Sequence, residues 1–257
     1  MRTQRTSSWL ANLAASLGLF AGFVLLWWLV SHNEWVNKVF LPTPPATLRS
    51  LLEGLRQGEL VSFTVSTVQR MALGWGLACL LGVTLGALVG ISATARAWVQ
   101  PTLEFIRPLP ASAIMPLAIS IFGLSGGMVL AVVAFGAMWP VLLGTVHGFT
   151  NVHLRLREVS EALQLSRFAF VWKIGLPNAV PDILAGMRLS MTVALIVAVV
   201  GEMIASQPGL GQAILLAARS FRASELFAGI VLLGAIGFIS NALLSAADKW
   251  LLGWQRP

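Results

Sequence analysis

Six long, mostly apolar stretches dominate this sequence, near residues 10–31, 62–91, 103–123, 127–149, 179–205 and 226–248. A helix that crosses the ~30 Å hydrocarbon core of a bilayer needs about 20 such residues, because it rises ~1.5 Å per residue. Within lipid every backbone N–H and C=O must find a partner inside the protein, and a helix is the spanning solution that meets this segment by segment. The composition makes the same point, with 57% hydrophobic and only 11% charged residues. A soluble domain carries roughly 25% charged residues, and a water-soluble fold of this length has nowhere to hide the surplus apolar surface. The expected fold class is all-α, a single polytopic membrane domain over 1–257 with about six transmembrane helices.

The net charge is +7, with 17 Lys and Arg against 10 Asp and Glu. The basic residues are scattered between the apolar blocks, which fits anionic headgroups and the positive-inside bias of membrane proteins rather than nucleic acid. Six spans put both termini on one side. With the N-terminus inside, the inner segments hold Arg2, Arg5, Arg96, Arg155, Arg157, Arg167, Lys173, Lys249 and Arg256. The outer segments hold Lys38, Arg49, Arg56, Arg70, Arg219 and Arg222, and the nine-to-six balance points to cytoplasmic termini. The stretch 10–31 follows Arg2 and Arg5 as a secretory signal would. It is long for one, contains Trp27 and Trp28, lacks a clean small-x-small cleavage site, and reads as a retained first span. The single cysteine, Cys79, excludes an intrachain disulfide.

Between the first two spans, Pro44 and Pro45 can open a short helix in which Leu48, Leu51, Leu52 and Leu55 share a face. An amphipathic helix at the outer surface is expected over 43–58. In the second span Gly74, Ala78, Gly82, Gly86 and Gly90 recur every four residues and form one helix face. Small residues let a second backbone approach closely, which is how helices pack in lipid. In the fifth span Arg188, Thr192 and Glu202 fall near one face, and ionisable groups at membrane depth usually face a bundle interior or a water-filled path. They are candidates for a translocation pathway, with a structural pairing of Arg188 to Glu104, Asp182 or another helix as the competing reading. Arg107, beside Pro108 at the start of the third span, is a further pathway candidate at the membrane interface.

Catalytic chemistry finds little support. Gly123-Leu-Ser125-Gly126 matches the nucleophile pattern of an intramembrane serine protease, and a serine nucleophile needs a base within hydrogen-bond reach. His147 lies about 33 Å away along what should be one helix, His153 lies farther on, and only His32 could share a side with Ser125. Three dispersed histidines and one cysteine make no metal site. No Gly-Lys dipeptide occurs, so the chain carries no Walker A phosphate loop and no bound cofactor is expected. A secondary transporter or channel would show inverted repeats or a proton-relay set, and neither is visible.

The polar segment 150–178 is a different matter. Glu158-Val-Ser-Glu161-Ala162-Leu163-Gln164 is helix-compatible, and nine residues later comes Ile174-Gly-Leu176-Pro177. A short helix held outside the membrane by two long spans is a mechanical handle. This segment resembles the cytoplasmic motif of the permease subunits of binding-protein-dependent ABC importers: Glu-Ala-Ala, three residues, Gly, nine residues, Ile-x-Leu-Pro. Val159 and Ser160 replace the alanines, and Gln164 replaces the glycine that normally allows a turn between two short helices. Leu41-Pro-x-Pro44, Arg107-Pro-Leu-Pro110, Pro116-Leu-x-Ile119, Leu176-Pro-x-x-x-Pro181, Gly186-Met-Arg188, Glu202 and Gly209-Leu-Gly211 are similar to the nitrate, sulfonate and taurine branch.

The resemblance implies a type I importer permease in the bacterial inner membrane, in which two permease copies, most simply a homodimer, form a pathway for a small solute. Two ATP-binding cassette subunits would bind ATP and Mg, and a periplasmic binding protein would deliver the solute. Glu158, Glu161, Ala162, Leu163, Gln164, Ile174, Leu176 and Pro177 would form the ATPase-coupling segment, and Glu161→Lys is expected to uncouple transport without unfolding the chain.

Overall fold

The computed structural model describes residues 3–252. Arg2 and Arg256, counted above for orientation, lie outside the described residues, as do the side chains of Arg5, Arg157 and Arg167. In chain order the elements are α1 (Thr3–His32), α2 (Pro44–Gln57), α3 (Glu59–Ile91), α4 (Ala93–Ile106), α5 (Ala111–Phe122), α6 (Gly126–Thr150), α7 (Leu154–Ala162) and α8 (Arg167–Phe170). A π-helical turn, Val171–Gly175, then leads into α9 (Leu176–Ala205), α10 (Leu210–Arg219) and α11 (Ala223–Leu251). No strand occurs among the described residues.

Among the described residues five helices are long and apolar enough to cross a membrane, and α4 with α5 forms a sixth candidate bent by 92°. The third span expected at 103–123 is therefore not one straight helix. Arg107-Pro-Leu-Pro110 breaks it, since proline cannot donate in a helix and biases the preceding residue away from helical geometry.

The fold divides into two compact units. One takes the chain through Val61 together with Ala213–Leu232. Here Trp27 of α1 stacks on Phe227 at 5.6 Å and donates its indole N–H to the Pro42 carbonyl at 2.9 Å. The amphipathic helix forms as expected: Thr43 caps α2 by accepting from the Ala46 N–H, and Gly58 ends it at φ +85, a backbone state that glycine adopts without penalty.

The other unit takes Ser62–Gln212 and the chain from Leu233 onward. Its centre is α6, whose Met128, Val129, Val133, Ala137, Val141 and Leu142 are fully or almost fully buried. The small-residue stripe of α3 packs on it. A Cβ on Gly74 would fall within 3.0 Å of Val133, on Gly82 of Val141, on Gly86 of Thr145 and on Gly90 of Phe149. The sequence offset is 59 residues at all four contacts, so α3 and α6 run parallel. Two parallel spans must be separated by an odd number of crossings, which makes α4–α5 a broken span and not a re-entrant hairpin. On the other side of α6, Gly144 faces Asp182, Gly148 faces Ala179 and Gly186 faces Pro140, the falling numbers of an antiparallel α6–α9 pair. Ser190 donates to the Ala137 carbonyl at 2.5 Å in the same seam. Leu195 faces Gly237 and Arg188 pairs with Asp248, so α11 runs antiparallel to α9.

Candidate functional site

A cavity of about 1220 Å³ opens among α4, α5, α6 and α9. Its walls carry Arg96, Gln100 and Glu104 of α4, Arg107 just after it, His147 of α6 and Asp182 of α9. His147 and Asp182 belong to the end of α6 and the start of α9 and Arg96 to the start of α4, so the cavity has a polar mouth on the side that carries residues 151–175. The far end is apolar, formed by Met115, Trp139, Val193 and Val200. Arg107 sits at the C-terminus of α4, its N–H bonded to the Leu103 carbonyl at 2.8 Å, and is part of the cavity wall.

The structure places the other intramembrane candidates elsewhere. α9 turns Asp182, Leu189, Val193, Ile196 and Val200 to the cavity, and Arg188, Thr192 and Glu202 lie off that wall. Arg188 is ion-paired with Asp248 of α11, neither Glu104 nor Asp182, and Thr192 is exposed one turn farther on. Glu202 is 0% exposed. Its carboxylate accepts from the Thr67 hydroxyl at 2.9 Å, from Arg70 at 2.7 Å and from the Gly211 N–H at 3.0 Å. Arg70 also donates to the Pro208 carbonyl at 2.7 Å, and the Leu210 N–H donates to Thr67 at 2.9 Å. These bonds clasp α3, the end of α9 and the Pro208–Gly211 turn. The physical reason is general: a buried charge at membrane depth is stabilised as well by partners on neighbouring helices as by a water path. Arg70, counted above with an outer segment, lies inside α3. A cation within a long apolar run was the available signal that a buried carboxylate awaited it.

The segment 150–178 folds into a helix, a turn and an arm. His153 caps α7, accepting from the Arg155 N–H at 3.3 Å. At Gln164 the chain takes φ +47, and α8 and the π-helical turn then carry it into α9. The glycine-like turn is thus present although glycine is absent. It is held by bonds from the Gln164 N–H to Glu161 and from the Leu165 N–H to Ser160, both 3.0 Å. Glu158, Glu161, Ala162, Leu163, Gln164 and Pro177 are exposed, whereas Ile174 and Leu176 are half-buried. Leu163 is 65% and Val159 49% exposed, an apolar edge beside the two carboxylates. The root of the arm is firm: Phe149 is 3% exposed and packs against Ala179, Ile183, Val171 and Leu176.

Ser125 caps α6, donating to the Phe122 carbonyl and accepting from the Met128 N–H, while His147 lies in the last turn of the same helix. Some 22 residues, about 33 Å, separate them, which leaves the serine without a base from that histidine.

A family model described as binding-protein-dependent transport system inner membrane component matches residues 80–254. The putative aliphatic sulfonates transport permease protein SsuC of Bacillus subtilis is 31% identical over 235 residues, covering 91% of this chain and 85% of that protein. The taurine transport system permease protein TauC of Escherichia coli is 28% identical, over 95% and 90% of the two chains. The bicarbonate transport system permease protein CmpB of Synechococcus elongatus is 25% identical, over 90% and 86%. The crystal structure of an amino acid ABC transporter shares the fold, with a TM-score of 0.61 at 18% identity over 78% of this chain and 96% of that one. With the family model covering more than half of the sequence and these relatives matching nearly end to end, the chain belongs to the family of inner-membrane permease subunits of binding-protein-dependent ABC importers.

Proposed function

We propose that this permease forms the pathway for a small anionic or zwitterionic solute of the sulfonate, taurine or nitrate kind, as a homodimer with two ATPase subunits that bind ATP and Mg. The observation that carries the proposal is the exposed segment Glu158–Gln164, presented beside the polar mouth of the cavity by an arm rooted on Phe149. Glu158, Glu161 and Leu163 dock in the ATPase, and movement there is transmitted to the helices that wall the cavity. The termini and this segment lie in the cytosol, in keeping with the excess of Lys and Arg on that side. A periplasmic binding protein delivers solute to the opposite side.

Sulfonates, taurine and bicarbonate, named for the relatives, all carry a negatively charged oxygen group. Arg107 and Arg96 in the cavity wall suit such a group, so Arg107 is the pathway arginine of this reading, and Arg188 and Glu202, each ion-paired within the chain, belong to the frame. A second copy supplies the missing wall: Leu189 and Ile196 line the cavity yet are 65% and 58% exposed.

The test is purification of the tagged chain from its own host in several mild detergents, with mass spectrometry of what accompanies it. A Walker A subunit recovered in equal amount, and lost with Leu163→Asp, is the expected result. Recovery of the chain alone in every detergent would reverse the reading in favour of an ATPase-independent transporter. Uptake of labelled taurine and of an alkanesulfonate by cells carrying the complex then separates the solutes.

A further inference from the structure

A second cavity, of about 460 Å³, lies between the coupling segment and the elbow where α3 gives way to α4. Ser92 and Arg96 line it from the elbow, Ser160 and Glu161 from the segment, and Phe149 from the firm root of the arm. Arg96 belongs to the walls of both cavities. Its guanidinium donates to the Gly90 carbonyl at 3.2 Å, and neither Arg96 nor Glu161 has an ion-pair partner among the described residues. Opposite charges thus face one empty space without meeting.

The element that bears Arg96 is sparsely packed within this chain. α4 has no buried residue along its 14 positions. It is bounded by the break at Ser92, where the backbone is extended, and by the 92° bend before α5. A helix with little buried surface between two breaks is the kind of piece that shifts as a unit in a conformational change. Gln100 and Glu104 on the same helix, and Arg107 just after it, line the larger cavity.

We infer that Arg96 is a positioning residue for transport: when the coupling segment closes on the elbow, Glu161 pairs with Arg96, and α4 is drawn with it, reshaping the mouth of the solute cavity. The inference rests on the ATPase-coupled reading above. It gives Glu161 a partner within its own chain, in addition to its place in the coupling segment. The space between elbow and segment is the room through which that closure runs.

The test uses the assembled complex in membranes. Arg96→Cys with Glu161→Cys, in a Cys79→Ala background, is oxidised without nucleotide and after trapping with ATP and vanadate. Disulfide yield rises severalfold on trapping. In parallel, Arg96→Glu lowers uptake by about 5-fold or more, the lower end of typical couplings between sites, while still co-purifying with the ATPase. Arg96→Lys, which keeps the positive charge, recovers most of that loss. Disulfide yield indifferent to nucleotide, or a lysine variant no better than the glutamate variant, overturns the inference while recovery of the ATPase leaves the transport reading standing. Failure of the wild-type chain to bring down an ATPase removes both. Should the cysteine pair fail to assemble, the Arg96 variants decide alone.

Discussion

Glu202 offers the sharpest quantitative test, because the sequence suggests a pathway residue and the structure shows a buried clasp. Glu202→Ala removes the acceptor of three hydrogen bonds and leaves Arg70, only 19% exposed, without its carboxylate. Breaking one side of a buried ion pair costs about 3–5 kcal/mol. Arg70 retains the Pro208 carbonyl and Thr67 retains the Leu210 N–H, so the lower end, about 3 kcal/mol, is expected. Glu202→Gln keeps an acceptor oxygen and loses the charge, at a cost of about 1–2 kcal/mol. Arg70→Met with Glu202→Leu replaces both partners by apolar groups of similar bulk, and such replacements lie near neutral, within about 1 kcal/mol of wild type.

The assay is unfolding of the purified chain in detergent followed by tryptophan fluorescence, alongside uptake normalised to folded protein. If the clasp is a frame element, uptake per folded molecule holds in the double apolar variant, and the coupling energy of the cycle is well above the ~0.5 kcal/mol expected of independent sites. A cost below about 1 kcal/mol for Glu202→Ala, or additivity of the two single changes, would refute the reasoning. Collapse of uptake with stability unchanged would return Glu202 to the pathway.

Other substitutions probe the remaining parts. Gly86→Ala drives a Cβ into the Leu142 carbonyl and Thr145 across the α3–α6 seam and should lower stability by about 1–3 kcal/mol, whereas Gly76→Ala meets nothing within 4 Å and should gain up to about 1 kcal/mol of helix propensity. The melting temperature in detergent distinguishes them. Gln164→Gly relieves a left-handed backbone and Gln164→Val aggravates it, each by about 1 kcal/mol. Limited proteolysis of the segment, slower for the glycine variant and faster for the valine variant, reads this out.

Elements legible in the sequence were those whose signal is local. Apolar length gave five spans, four of them with boundaries within about three residues and the first beginning seven residues early at Thr3, and the proline pair at 44–45 gave the start of α2. The four-residue stripe on α3 announced a close-packed face, but nothing local named α6 as its partner or showed that the two helices are parallel. The span expected at 103–123 is broken at Pro108 and Pro110, and neither the break nor its angle followed from the apolar pattern, because the angle depends on what α4 and α5 each pack against. On α9 the sequence leaves two readings open, a pathway stripe of Arg188, Thr192 and Glu202 or a structural pairing of Arg188. The partners that Arg188 and Glu202 find, Asp248 and the pair Thr67 and Arg70, lie 60, 135 and 132 residues away in sequence.

The distribution of burial has a mechanical consequence. The α3–α6–α9 seam is held by glycine contacts closer than a Cβ allows, and it is fixed at one end by the Glu202 clasp and at the other by Phe149. A frame packed in this way resists gradual deformation, because small displacements at each contact forfeit dispersion or create overlap. Packing is sparse by contrast in α4, which buries no residue, and in the segment 154–164, where Ser160 is the one buried residue among those whose side chains are described. Those two loose pieces face each other across one cavity, and one of them carries Arg96, Gln100 and Glu104 in the wall of the other cavity. On the proposed coupling, a push on the segment reaches α4 across the smaller cavity, and the larger cavity is where the displacement is expected to appear.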